Sequence, residues 1–64
     1  MQIDYSSSAK ERRAMILKML DQENEVSVTK LSKILGISEV TIRKDLTLLQ
    51  RKNLLVRTRG GAIR

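Results

Sequence analysis

The sequence has no cysteine and no histidine among its 64 residues. Their absence excludes disulfide bonds, the usual zinc-ligand sets, thiol and imidazole nucleophiles, and the commonest general base of enzymes. Phenylalanine and tryptophan are absent too, and Tyr5 is the one aromatic residue. A protein that stacks single-stranded bases on aromatic side chains is therefore a poor fit. We expect an aliphatic core, no catalytic residues, no metal site and no cofactor.

Long hydrophobic runs are also missing. No apolar stretch exceeds four residues, and residues 1–13 lack the hydrophobic segment of a secretory signal peptide. The length suits one compact core and no second module. We therefore expect a single soluble domain over residues 9–64, preceded by an arm at residues 1–8, that is not exported.

Positive charge is abundant and unevenly distributed. The net charge is +6, and residues 1–40 balance six cations against six anions, whereas residues 41–64 carry seven cations against Asp45 alone. A basic half of this kind attracts nucleic acid or an acidic membrane surface. A membrane-surface helix fits poorly, because the charges extend from a helix into the segment that follows it. The alternative to a polyanion partner is a basic surface that serves solubility.

The first helix is predicted by a capping box and by helical spacing. Ser8 and Glu11 have the capping-box spacing, so we expect the helix to run over residues 9–22. Asp45, the lone acid of the basic half, is expected to pair with a cation of this helix such as Arg13. The apolar side chains predicted to face inward are Met15, Ile16, Met19 and Leu20.

Two more helices are predicted from caps and left-handed stops. Ser27 caps the second helix, and Gly36 ends it. Ser38 caps the third helix, and Asn53 is a residue type that can end it. The apolar side chains predicted to face inward are Leu31, Ile34, Leu35, Ile42, Leu46 and Leu49.

Short extended segments complete the expected fold. Val26 is β-branched, and we expect it to pair with a strand edge elsewhere. Residues 54–58 and 62–64 are predicted strands joined by a tight turn at Arg59, Gly60 and Gly61. The element order predicts an α+β winged helix-turn-helix fold: three helices, one short strand and a C-terminal two-stranded hairpin, the wing.

The third helix carries the candidate binding face. In a helix-turn-helix, the second helix of the motif enters the major groove and reads base edges. Arg43 and Lys44 can pair with guanine or phosphate, and Val40 can contact a thymine methyl group or pack on the turn. An ordinary helical corner with the same turn is the alternative. The candidate DNA-binding residues before the wing are Ser27, Ser38, Val40, Thr41, Arg43, Lys44 and Thr47.

The wing supplies the second part of the candidate site. Arg57 and Arg59 lie beside Gly60 and Gly61, and a glycine tip lets the backbone approach a phosphate closely. A hairpin that only closes the fold is the alternative.

Residues 13–63 closely resemble the N-terminal winged-helix domain of DeoR-family bacterial transcriptional regulators. The likeness rests on Thr-Ile-Arg-x-Asp-Leu at residues 41–46 joined to Leu-x-Arg-x-x-Gly-Gly-Ala at residues 55–62. Family members are usually repressors of sugar or nucleoside catabolic operons, so the resemblance implies sequence-specific binding of double-stranded DNA in the bacterial cytoplasm. It also implies a homo-oligomeric full-length protein with a larger domain, absent from this sequence, that senses a phosphorylated sugar.

Two other functions stay open at this stage. One is the DNA-binding head of a bifunctional enzyme such as a biotin-ligase repressor, which sequence beyond Arg64 would distinguish. The other is a winged helix used only for protein contact, which predicts no salt-dependent binding of DNA.

Overall fold

The computed structural model describes residues 9–64, which form three helices and a three-stranded antiparallel sheet. The elements in chain order are α1 (Ala9–Glu23), β1 (Glu25–Ser27), α2 (Val28–Leu35), α3 (Glu39–Arg51), β2 (Val56–Arg57) and β3 (Gly61–Ile63). The predicted winged helix-turn-helix fold is confirmed. The arm at residues 1–8, with the Ser8 half of the predicted capping box, lies outside the described residues. No helix in residues 9–64 is long and apolar enough to cross a membrane.

The predicted caps begin and end the helices. Ser27 Oγ and Ser38 Oγ each accept a hydrogen bond, at 3.2 Å, from the backbone N–H three residues further on. Gly36 ends α2 with a φ of 66°, and Asn53 follows α3 with a φ of 62°. These left-handed conformations turn the chain away from each helix axis. The turn between α2 and α3 is therefore encoded locally, as the sequence indicated.

Strand β3 lies at the centre of the sheet, between β1 and β2. Val26 of β1 lies opposite Ala62 of β3, so its predicted pairing with a distant edge is confirmed. Strand β2 is shorter than the predicted residues 54–58. The Leu54 N–H donates to Leu49 O at 3.0 Å, and the Leu55 side chain is buried in the core, so this segment packs on α3 before pairing begins.

The core is aliphatic, as expected. Its buried members are Ile16, Leu20, Val28, Leu31, Ile42, Leu46, Leu49, Leu55 and Ala62. Two predicted inward positions are wrong: Ile34 is 57% exposed, and Met15 is also exposed. On α1 the buried stripe instead contains Arg12 with Ile16 and Leu20, at a spacing of four residues that brings them onto one face.

Gly61 also differs from its predicted place in the turn. It is buried and belongs to β3, opposite Ser27 of β1. A Cβ atom at Gly61 would lie 1.8 Å from the carbonyl oxygen of Val26. The glycine is therefore required by the close approach of β1, and it does not offer exposed backbone at the wing tip.

Candidate nucleic-acid interface

The structure exposes most of the predicted binding residues on α3 and the wing. Val40 is 59% exposed, so it points into solvent and does not pack on the turn. The exposed candidates are Ser38, Val40, Arg43, Lys44, Arg59 and Gly60; the half-buried ones are Ser27, Thr41, Thr47 and Arg57; Gly61 is buried. Apart from Gly61, the predicted set therefore has surface that a ligand can reach.

The start of α3 is organised by short polar side chains. Ser38 Oγ accepts from the backbone N–H of Thr41 at 3.2 Å and donates to Thr41 Oγ1 at 3.1 Å. These bonds hold both hydroxyl groups at the exposed N-terminus of the helix. Ser27 caps α2 with the same backbone bond and lies in β1 opposite Gly61.

Arg43 is held along the surface of α3 by a neighbouring carboxylate. Its Nη2 donates to Glu39 Oε1 at 3.0 Å, one helical turn earlier, and both side chains are about half exposed. An exposed pair at this spacing contributes only about 0.3–0.5 kcal/mol. Arg43 can therefore leave Glu39 for a nucleic-acid partner at little cost.

A hydrogen-bonded bracket joins the wing to α3. Arg57 Nη1 donates to Thr47 Oγ1 at 2.9 Å, and the backbone N–H of Arg57 donates to Gln50 Oε1 at 2.6 Å. Thr47 Oγ1 in turn donates to the Arg43 carbonyl oxygen at 3.0 Å. The bracket fixes the direction of β2 relative to the exposed face of the helix.

The two wing arginines have different surroundings. Arg57 lies against α3, and its buried Nε has no hydrogen-bond partner among the described residues. Arg59 is exposed beside Gly60, which is open to solvent and whose carbonyl oxygen accepts from the Val28 N–H at 2.9 Å. That bond ties the exposed tip of the wing to the start of α2.

A buried ion cluster joins α1 to α3. Asp45 is 1% exposed, and its carboxylate accepts from Arg12 Nε, from Arg12 Nη2 at 2.8 Å and from Arg13 Nε at 3.1 Å. The expected pairing of Asp45 with Arg13 is present. Arg12, which is 5% exposed, donates two of these three hydrogen bonds. The hydrogen bond that Arg12 donates to Asp45 raises the pKa of Arg12, against the lowering effect of burial. The cluster sets the rotation of α3 about its axis.

Known proteins show which family this fold and site represent. The sequence profile of the DeoR-like helix-turn-helix domain matches residues 12–64. The chain belongs to this family. The residues that carry the sequence resemblance, at 41–46 and 55–62, lie within the matched range.

The DeoR-like domain is similar to several curated transcriptional regulators. It is 42% identical to the regulator GolR of Listeria innocua and 42% identical to the repressor GlcR of Bacillus subtilis, over 83% of the chain in both cases. It is 44% identical over 81% of the chain to the L-fucose operon activator of Haemophilus influenzae. The chain spans about a fifth of the length of each of these relatives. No solved structure gives a significant match.

Sequence reasoning missed two residues that shape the DeoR-like domain's site. Arg12 was not among the side chains predicted to face inward, although its spacing of four from Ile16 places it in line with the buried stripe. Gln50 lies three residues after Thr47 on α3, and this spacing alone would not distinguish it from a solvated side chain. Among the described residues, no group of three His, Cys, Asp or Glu side chains could hold a metal ion.

Proposed function

We propose that this DeoR-like domain binds double-stranded DNA sequence-specifically, with α3 in the major groove and the wing on the sugar-phosphate backbone. One observation supports this most directly: the whole net charge of +6 arises in residues 41–64, which hold the wing and all of α3 except its first two residues. Asp45, the one acid of that half, is buried against Arg12 and Arg13. The exposed cations therefore dominate the surface that faces the groove.

The proposed contacts follow from exposure and side-chain chemistry. Arg43 reads a guanine edge with its planar guanidinium group, and Lys44, which lacks that fork, contacts phosphate or a single acceptor. Val40 meets a thymine methyl group. The remaining proposed contacts on the helix starts, α3 and the wing tip are Ser27, Ser38, Thr41, Thr47, Arg57, Arg59 and Gly60.

The proposal for the whole regulator is wider. We infer that it is a homo-oligomeric repressor of a carbohydrate operon in the bacterial cytoplasm. We also infer that it responds to a phosphorylated sugar bound outside residues 1–64 and has no catalytic activity in this domain. The name of the GlcR relative supports repression, and the L-fucose relative is named as an activator, so the sign of regulation needs its own test.

Selection of bound sequences from a random duplex pool tests the DNA-binding proposal. The selected duplex and a scrambled control are then titrated with the 64-residue chain at several salt concentrations. If four to six cations reach phosphates, log K should fall with log salt at a slope of about −4 to −5. Failure to enrich any sequence, together with a slope near zero, would contradict DNA binding and favour a winged helix that contacts only protein.

A further inference from the structure

A basic cleft runs across the exposed face of α3, from Thr47, which binds the wing's Arg57, to Arg13 of α1. Its volume is about 410 Å³, and its lining residues are Arg13, Arg43, Lys44, Thr47, Leu48 and Arg51. Four of these six residues are cationic, and no carboxylate lines the cleft. The cleft takes one of its cations from α1, which sequence analysis had not placed in the binding surface.

The anchoring of Arg13 directs it towards this cleft. Its Nε donates to Asp45 Oδ1 at 3.1 Å, and its side chain is 31% exposed. A guanidinium group has five N–H donors in one plane, so the Nε bond leaves the two terminal amino groups for another acceptor. Arg13 is thus pre-oriented by a buried carboxylate while its outer edge faces solvent.

The charges around the cleft do not cancel. Asp45 supplies one negative charge to two arginines, Arg12 and Arg13, so this cluster keeps a net positive charge. Lys44 and Arg51 form no ion pair with any described residue, whereas Arg43 is paired with Glu39. The cleft therefore presents about three uncompensated cations to solvent.

We propose that Arg13, Lys44 and Arg51 bind a phosphate of the DNA strand on the side of α3 opposite the wing. Asp45 anchors Arg13, and Thr47 anchors Arg57 of the wing. At 100° per residue, these two anchors lie on opposite sides of Lys44 around the axis of α3. The major groove is about as wide as a helix with its side chains, so both bordering backbones come within reach. One border meets the wing, and the other meets the Arg13 end of this cleft.

The assignment rests on the proposed DNA binding and is tested with Arg13→Gln in the 64-residue chain. Loss of one phosphate contact should reduce the magnitude of the salt slope by about 0.9, and should weaken binding to selected and scrambled duplexes alike by about fivefold at physiological salt. Lys18→Gln removes one cation from an exposed position of the same helix outside the cleft, and it should leave the slope unchanged.

Three results would overturn the proposal. A folded Arg13→Gln variant with the slope and affinity of the original chain would show that Arg13 contacts no phosphate. It would not contradict the proposed binding of DNA. A lower preference for the selected duplex at an unchanged slope would show that Arg13 only positions α3 through Asp45. An original chain that binds no duplex would remove both proposals. If Arg13→Gln fails to fold, Arg51→Gln is used instead, because it leaves the Asp45 cluster intact. The salt slope of Arg51→Gln should then be about 0.9 smaller in magnitude, and an unchanged slope would overturn the proposal.

Discussion

Arg43 forms a weak ion pair with Glu39 in the free domain, and we propose that it contacts a base edge when DNA binds. Its bond to Glu39 is exposed and contributes little, so a base edge can replace that carboxylate. We expect Arg43→Ala to lose about 1–3 kcal/mol of binding free energy on the selected duplex and much less on a scrambled one. Titration of both duplexes measures the difference. An equal loss on the two would show that Arg43 contacts phosphate only.

Asp45 joins α3 to α1 through its bonds to Arg12 and Arg13. Asp45→Asn would leave Arg12 buried without a counter-charge, and removing one partner of a buried ion pair costs about 3–5 kcal/mol. We expect a loss of that size in the free energy of unfolding, measured by urea denaturation. Glu39→Gln removes one acid from the same helix at an exposed pair, and as the control it should change stability by no more than about 0.5 kcal/mol.

The Arg12 side chain keeps its charge through ordinary changes of pH. Its pKa is raised in the folded state, chiefly by the hydrogen bond to Asp45. The stabilisation is therefore present below the ordinary pKa of arginine and is lost only as the pH rises through the still higher folded value. Near neutral pH the Arg12 side chain stays charged, and its contribution to stability is constant.

At the scale of elements, the wing is coupled to α3 through Arg57 and is open to DNA at Arg59. Arg59→Gln should reduce the magnitude of the salt slope by about 0.9, keep the sequence preference and change stability by at most about 0.5 kcal/mol. Arg57→Gln breaks the bond to Thr47 and should destabilise the fold by about 1 kcal/mol. Melting and salt titrations on the same variants measure both effects. If a chain that carries both Arg57→Gln and Arg59→Gln keeps the original affinity and slope while folded, the wing does not contact DNA.

The pairing of β1 with β3 requires a glycine at position 61. Gly61→Ala places a methyl group against the Val26 carbonyl oxygen, so the strands must separate, and we expect a loss of about 3 kcal/mol or more. Gly60→Ala is the matched control, because a Cβ there meets nothing within 4 Å. Thermal unfolding of the two variants compares them. Equal stability would show that β1 can move away from β3 without cost.

At the scale of the whole molecule, stability and binding use different parts of one small chain. The aliphatic core and the buried Asp45 cluster hold three helices on a short sheet without disulfides. The surplus cations lie outside this core, on α3, the wing and the flanking cleft. Salt should therefore weaken DNA binding strongly while changing the melting temperature much less.

Local sequence determined the helices and the turn between α2 and α3. The serine caps, the left-handed Gly36 and Asn53, and the stripe of Ile42, Leu46 and Leu49 all act within a few residues of chain. These signals act within a few residues, so they can be interpreted without knowing the fold. The resemblance to DeoR-like domains, which the family match confirmed, also rests partly on α3, through residues 41–46.

Tertiary structure decided the features that need a partner distant in sequence. Arg12 is buried because Asp45, far along the chain, neutralises it, and Gly61 is in a strand because Val26 approaches it. Arg57 is drawn onto α3 by Thr47 and Gln50, whereas Ile34 is left exposed. Periodicity predicts which face of an element is apolar, but burial depends on what packs against that face. The burial of a charged side chain, or the need for a glycine, depends on which distant residue folding brings into contact with it.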